Sequence, residues 1–401
     1  MPGYEWIGDK ERKQVNEVFD TGILFRYEFK EERKGVYKVR EFEDAFARFN
    51  GVPYAQAVTS GTSALKVALA ALGIKPGDEI ITQGFTFIAT FEAIIEAGAI
   101  PVPCEVDNTL NLDPKDFESK ITPRTKAVIP VHMLGSPARI NEIIEIAKKH
   151  DIKVLEDTAQ ALGATMDGKK VGSLGHAGTF SFDFYKTITT GEGGMVITND
   201  HETYVRASEY ADHGHDHNPA VGRALEGRNF LGFNYRMTEM QGAVGLAQVE
   251  RLPEILTVQK KNQEKIRSTL SSIKGIELRG LPEGGVDSHT HVCFFLPNSD
   301  LTGEFHKKLT SSGVSAIYFK NNLWHFIHNW EHLINKKTAW PGSFPFCEPH
   351  CKKEITYTPE MLPKTANYLS RTIVLPVSLK LTESAIDKAC KEINAISAEL
   401  L

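Results

Sequence analysis

Between residues 52 and 200 the chain alternates, at short intervals, between apolar runs and stretches with helical periodicity. Residues 64–72 are rich in Ala and Leu, follow Ser60-Gly61-Thr62-Ser63 and stop at Gly73, which gives a helix with a start signal and a C-terminal glycine. A Pro76-Gly77-Asp78 turn leads into the apolar run 79–82. Residues 89–97 are helical in pattern, end at Gly98, and give way to a strand-like run over 100–106. The rhythm continues through an apolar run at 126–131, an amphipathic helix at 137–150 and a run at 152–155 closed by Glu156-Asp157. Two more β-rich runs follow at 178–182 and 194–198. Strands that alternate with helices predict a mainly parallel sheet covered on both faces. In such sheets a ligand sits beyond the carboxyl ends of the strands.

The pattern changes near residue 250. A long polar helix pattern runs over 248–275, followed by β-like runs at 291–296 and 314–319, a loop-rich stretch at 321–363 and a last helix over 382–401. This reads as a smaller α+β domain. With 46 Lys plus Arg against 51 Asp plus Glu, the formal charge of -5 gives no electrostatic reason to expect nucleic acid or a membrane as partner. Five scattered cysteines make no disulfide framework. The cluster Cys347, His350 and Cys351 has a faintly metal-like spacing but lacks a second pair, so no metal is expected. Residues 1–6 carry no basic-then-apolar leader, and no apolar run reaches the roughly 20 residues of a spanning helix. A cytoplasmic location is the expectation.

Three segments carry chemistry. The first is Phe180-Ser181-Phe182-Asp183-Phe184-Tyr185-Lys186, followed by Thr190-Gly191-Glu192-Gly193-Gly194. A lysine just past a buried strand loses water, and its pKa falls from roughly 10.4 toward the neutral amine that a Schiff base needs. The plain alternative is a solvated lysine beside a turn. The second is Asp157 at a strand end with Gln160 three residues on. That carboxylate could face a protonated pyridine nitrogen, with the amide at a ring hydroxyl, or Asp157 could simply cap the next helix. The third is Ser60-Gly61-Thr62-Ser63 at a helix start, where free amides and the helix dipole suit a phosphate. Phe85 and Phe87 lie past the next strand and could cover a flat ring or belong to the core.

In this chain order the segments resemble the sugar aminotransferases of the DegT–DnrJ–StrS type, within the aspartate aminotransferase superfamily of fold type I. The likeness runs from Phe42-Glu43 through Gly77-Asp78-Glu79, residues 85–90, Gly98-Ala99-Ile100-Pro101, Val131-His132-Met133-Leu134-Gly135 and residues 156–160. It continues through the Lys186 segment and Gly232-Phe233-Asn234-Tyr235-Arg236-Met237 to residues 375–382. It implies an α/β fold: a large domain over 1–255 with a mainly parallel seven-stranded sheet sandwiched by helices, and a small α+β domain over 256–401. It also implies pyridoxal 5'-phosphate (PLP), passing through pyridoxamine 5'-phosphate during turnover. On that likeness Lys186 would hold the cofactor and shuttle the proton, Asp157 would pair with the pyridine nitrogen, and Gln160 with the phenolic oxygen. Phe87 would stack on the ring, while Gly61, Thr62 and Ser63 backbone groups and the Ser181 hydroxyl would bind phosphate. Asn234 would reach the phosphate of a neighbouring subunit, which implies a homodimer with shared sites. Relatives with histidine in place of the lysine are sugar dehydratases; Lys186 argues for transamination over dehydration and over a non-catalytic cofactor-binding regulator.

Two stretches, Asp212-His213-Gly214-His215-Asp216-His217 and Asn321-Asn322-Leu323-Trp324-His325-Phe326 with Asn329-Trp330, together with Phe25-Arg26-Tyr27, resemble one branch of the family. That branch makes 8-amino-3,8-dideoxy-octulosonate, an amino sugar of lipopolysaccharide. The resemblance implies 3,8-dideoxy-8-oxo-octulosonate as acceptor and L-glutamate as donor, where the usual family acceptor is a nucleotide-linked keto-sugar. Arg26, His213, His215 and His325 are then the candidates to face the acceptor's carboxylate or hydroxyls. The His-rich run could instead bind a metal, which the family does not need.

Overall fold

The structure is a computed structural model that describes residues 3–351 and 355–401; Met1 and Pro2, read above for a leader, lie outside the described residues. Nine strands come from the first half of the chain: β1 (Tyr54–Val58), β2 (Glu79–Gln83), β3 (Ile100–Cys104), β4 (Thr125–Ile129), β5 (Lys153–Asp157), β6 (Thr165–Met166), β7 (Lys169–Lys170), β8 (Ala177–Ser181) and β9 (Gly194–Thr198). Seven of them form one sheet in the order β1-β9-β8-β5-β4-β2-β3. All run parallel except β9, which is antiparallel to both β1 and β8.

The strands are continuous apolar runs because both faces are covered. Ile80, Ala127, Ile129 and Leu155 point to one face, against Ala64, Leu65 and Ala68 of the helix Gly61–Ala71 and Ala93 and Ile94 of the helix Ala89–Glu96. Their neighbours Ile81, Val128 and Val154 point to the other, against Ile140, Ile143 and Ile146 of the helix Ile140–Lys149. A further core sets Phe42 and Phe46 of the helix Lys38–Asn50 against Phe180 and Phe182, at the end of the strand that leads to Lys186.

The second half adds β10 (Glu277–Leu278), β11 (Gly285–Val286), β12 (His291–Phe295), β13 (Ile317–Tyr318) and β14 (Thr372–Pro376). Four of these form an antiparallel sheet in the order β10-β12-β14-β13, while β11 joins β6 and β7 in a small three-stranded sheet. One face of the four-stranded sheet, through Val292, Phe294, Ile373 and Leu375, packs on the helices Leu252–Ser271, Ser299–Ser311 and Glu383–Leu400. The other, through Cys293, Phe295 and Val374, shares a core with Phe85 and Val131, just past strands of the large sheet, and with Phe91 of the helix Ala89–Glu96. The two sheets are thus welded beside the carboxyl ends where ligands bind.

Three details differ from the sequence reading. The helix pattern at 248–275 is two helices, Glu239–Glu250 and Leu252–Ser271, separated at Arg251, and the second has a proline in its first turn. Pro253 has no N–H to give and starts a helix more readily than it continues one. The run at 314–319 contributes only the two-residue β13. The sheet of β6, β7 and β11 was not expected at all, since two-residue strands leave no periodicity to detect.

Candidate active site

A cavity of about 560 Å³ opens at the carboxyl ends of the large sheet. Ser60, Gly61 and Thr62 come from the exit of β1, Phe87 from the exit of β2, Asp157 and Gln160 from β5, and Ser181 and Lys186 from β8. The second half of the chain closes it with His291 at the head of β12 and with Ile317, Phe319, Asn322, Trp324 and His325.

The helix Gly61–Ala71 begins in a capping box: Ser60 Oγ accepts from the Ser63 amide at 3.0 Å, and Ser63 Oγ accepts from the Ser60 amide at 2.8 Å. Ser63 is therefore consumed by the cap and is not among the residues lining the cavity, unlike the expectation that it binds phosphate. The Gly61 and Thr62 amides have no partner among the described residues and sit at the positive end of the helix dipole. A methyl group on Gly61 would lie 2.6 Å from Ser181 Cβ, so only glycine lets Ser181 come this close to the helix start. Two free amides and the Ser181 hydroxyl form an anion cradle.

Asp157 is 4% exposed. Its Oδ2 accepts from Thr90 Oγ1 at 2.9 Å and its Oδ1 from the Ala159 amide at 3.1 Å, while Thr90 Oγ1 lies 3.0 Å from Thr86 Oγ1. Burial lifts the carboxyl above its ordinary range, opposed by these two bonds and by the charge of Lys186. An anion raised by burial recovers that energy when a cation docks against it. Gln160 spends Oε1 on the Leu134 amide at 3.0 Å, which leaves its Nε2 free to donate into the cavity. The backbone around Asp157 is clamped as well, its amide donating to Pro130 O and its carbonyl accepting from the His132 amide, both at 3.0 Å.

Lys186 follows β8 in a tight turn held by its own amide on Asp183 O at 2.9 Å. The next residues, Thr187, Ile188 and Thr189, are buried, and the Thr189 hydroxyl and Thr190 amide both donate to Phe182 O. From the other side the Gly3 amide donates to Lys186 O at 2.9 Å, and Tyr4 stacks on Phe184 with centroids 4.5 Å apart. The chain path of the lysine is thus fixed while its side chain reaches into the cavity. Burial pulls the Lys186 amine below its ordinary value, opposed by Asp183 and Asp157. That burial favours the neutral, nucleophilic form, so the plain reading of a solvated surface lysine is excluded.

The other sequence candidates divide. Phe87, 39% exposed, lines the cavity and lies nearly parallel to Trp324, 16° apart with centroids at 6.4 Å. Asn234 is exposed and outside the lining; its Oδ1 accepts from the Arg236 amide at 3.3 Å. Of the four acceptor-side candidates, only His325 lines the cavity. Arg26 is instead bound to Glu43 at 2.7 Å and to Ala57 O at 3.3 Å, a pair buried below β1, because a guanidinium removed from water needs a carboxylate. His215 Nδ1 lies 2.7 Å from Glu226, and His213 is exposed at a left-handed backbone position, φ 56°. The His-rich run is organised by Asp212, which takes Arg223 and Arg236 at 2.6 Å each, with His217 stacked on Tyr27 at 5.0 Å. Among the described residues no group of three or more His, Cys, Asp or Glu could hold a metal ion, and no helix is long and apolar enough to cross a membrane.

Sequence reasoning gave no role to Thr90, His291 or Trp324. His291 is a polar residue opening an otherwise apolar strand, and Thr90 sits one turn after Thr86, so both left a faint signal. Burial drives His291 well below the ordinary histidine value, and burial followed by the charge of Lys186 brings His325 to about 4. Both imidazoles are neutral near pH 7. His325 Nδ1 lies 3.1 Å from Asn322 Oδ1, so Nδ1 carries the proton and Nε2 is left as an acceptor.

Residues 7–394 match the model of the DegT/DnrJ/EryC1/StrS aminotransferase family. The chain belongs to this family. This aminotransferase is 46% identical over 222 residues to the GDP-perosamine synthase of Caulobacter vibrioides, a match spanning 55% of this chain and 58% of that protein. It is 32% identical over 399 residues to the spore coat polysaccharide biosynthesis protein SpsC of Bacillus subtilis, covering 97% and 95% of the two chains. The aminotransferase of Psychrobacter cryohalolentis superposes with a TM-score of 0.84 at 28% identity, over 98% of each chain. Fold and family therefore agree over nearly all of the chain.

Proposed function

We propose that this aminotransferase uses PLP to move an amino group from an amino-acid donor, L-glutamate, to the carbonyl carbon of a sugar. The observation that carries the reading is one cavity holding a buried amine at Lys186 and a buried carboxylate at Asp157, each felt by the other, beside two unpaired amides at a helix start. This donor set fits PLP: an amine for its aldehyde, an acid for its ring nitrogen, Gln160 Nε2 for its hydroxyl, and Gly61, Thr62 and Ser181 for its phosphate. When bound, PLP supplies the electron sink that makes a carbon–hydrogen bond beside the nitrogen acidic. The chain's own residues do the rest. Asp157, oriented by Thr90, keeps a negative charge opposite the ring nitrogen. Lys186, whose amine burial pulls below its ordinary pKa, takes up and returns the proton. Phe87 gives a flat wall for the ring.

The perosamine-synthase relative supports a nucleotide-linked keto-sugar as acceptor. The second reading, 3,8-dideoxy-8-oxo-octulosonate, is favoured by the stretches 212–217 and 321–330. It asks for a cation toward the sugar acid, and among the lining residues of this chain only Lys186 is one. We further propose a homodimer in which Asn234, on a loop whose Leu231 is 95% exposed beside the half-exposed Phe233, completes the neighbouring phosphate site. The five free thiols suit the reducing cytoplasm.

The test is spectroscopic and then catalytic. The protein incubated with PLP should turn yellow, and its absorbance band should shift on adding glutamate. Run in reverse with 2-oxoglutarate, it should consume either GDP-perosamine or the 8-amino octulosonate. A protein that stays colourless after PLP overturns the reading; a sugar product that loses oxygen and retains no amine points to dehydration.

A further inference from the structure

We propose that Trp324 is the platform on which the acceptor sugar stacks, placing its carbonyl beside Lys186. This rests on the sugar aminotransferase reading and names the part of the cavity that recognises the sugar. Trp324 lines the same cavity as Lys186, yet its indole is 65% exposed. Its ring is therefore open to a molecule that enters the cavity.

The indole is not on a loose loop. Its amide donates to Asn322 Oδ1 at 2.8 Å, and Asn329 Nδ2 donates to Asn322 O at 2.8 Å. The next carbonyl, His325 O, accepts from the Thr86 amide at 3.0 Å; Phe326 pairs with Phe85; and the Ile327 amide donates to Gly84 O at 3.1 Å. Phe326 and Ile327 are buried anchors. The residues that carry Trp324 are therefore stitched to residues 84–86, which also position Phe87. This explains why the two rings lie within 16° of parallel. Phe87 takes the cofactor in the reading above, and Trp324 continues that aromatic wall outward.

A pyranose or extended sugar offers a face of C–H groups, weakly positive and apolar, that matches the negative face of an indole. Beside it, His325 presents an unprotonated Nε2, an acceptor for a sugar hydroxyl, because its Nδ1 proton is given to Asn322. A flat apolar surface next to a hydroxyl acceptor suits a sugar. The small amino-acid donor has no need of it, and this asymmetry is what an experiment can read.

The test uses the full-length holoenzyme with Trp324→Ala and Trp324→Phe. The donor step is followed by the absorbance shift with glutamate, the sugar step by reverse turnover of GDP-perosamine or the 8-amino octulosonate with 2-oxoglutarate, and the assembly by light scattering. Trp324→Ala should raise the sugar KM roughly tenfold, the loss of about one aromatic contact, with the glutamate response and the mass unchanged; Trp324→Phe should recover most of it. An unchanged sugar KM, an equal loss in both steps, or a smaller particle mass overturns the proposal, the last by showing that a second copy covers the indole. If the wild type shifts its band with glutamate but turns over neither sugar, the sugar reading fails and this proposal with it. If the wild type shows no response to glutamate, the failure lies in the aminotransferase reading itself.

Discussion

The two halves of the cavity are built on different principles. The cofactor half stands on the carboxyl ends of β1, β5 and β8 and stores buried charge: a carboxyl pushed up and an amine pulled down, both by loss of water. The acceptor half comes from the second half of the chain and holds the neutral imidazoles of His291, at the head of β12, and His325, with the exposed ring of Trp324 on a hydrogen-bonded turn. The first half is set up to bind one charged molecule tightly. The second offers shape and hydroxyl acceptors, which can be exchanged between relatives without disturbing the chemistry. Changes in the first half should therefore act on rate and cofactor, and changes in the second on the sugar alone.

The sharpest way to break this contrast is at the lysine. On the proposed function, Lys186→Ala should lower turnover by roughly 10⁴-fold or more, since it would remove the proton carrier and the covalent anchor together. Retention of more than a tenth of the activity would mean that another residue does the work. Next is Asp157→Asn, expected to lower turnover by roughly 10²–10³-fold. It carries a second signature. Because burial raises the Asp157 pKa, the cofactor-free fold binds a proton more readily than the unfolded chain does. Stability contributed by that group is therefore lost as pH rises from the ordinary aspartate value through the raised one. The cofactor-free Asn variant should melt above the wild type at pH 7 and lose this advantage toward pH 3. With PLP bound the order should reverse. A cofactor-free variant that melts lower at pH 7 would show that Asp157 is a structural acid.

The contrast also explains what was legible in the amino-acid sequence. Lys186, Asp157 and Gln160 sit at the ends of apolar runs, so chain order alone placed them at one edge of a sheet. The four acceptor-side candidates rested on clustering along the chain and on the resemblance, and clustering is no guide to where a side chain ends up: of the four only His325 lines the cavity. Arg26 is buried beneath β1 on Glu43, and His215 is taken by Glu226. The place of Trp324 in the cavity was not legible for the opposite reason: the pairing of residues 84–86 with 325–327 that brings it there spans some 240 positions. Arg26→Ala separates the two accounts. Leaving the Glu43 carboxylate buried and alone should cost about 3–5 kcal/mol of stability, seen as a lower melting temperature, while the sugar KM stays unchanged. A raised sugar KM at unchanged stability would return Arg26 to the acceptor site.

The smallest expected effect tests the boundary of the cofactor half itself. Ser63 stood among the phosphate ligands by its place in Ser60-Gly61-Thr62-Ser63, but its hydroxyl bridges Ser60 N and Ser60 O and its amide is held by Ser60 Oγ. The helix start therefore offers the cofactor only the Gly61 and Thr62 amides, both main-chain and both indifferent to side-chain identity at 63. Ser63→Ala should cost about 1 kcal/mol of stability through the weakened cap and leave the PLP dissociation constant within roughly threefold of the wild type, well under the tenfold that 1.4 kcal/mol represents. Ser181→Ala, by contrast, removes a hydroxyl that lines the cavity and should weaken PLP by more than Ser63→Ala while leaving the helix cap intact. Titrating PLP into the two variants, with melting temperatures measured alongside, decides between a cradle of two amides and one hydroxyl and a cradle that needs Ser63. If Ser63→Ala weakens PLP as much as Ser181→Ala does, the capping box opens when phosphate binds, and the first turn of the helix Gly61–Ala71 is a moving part of the site.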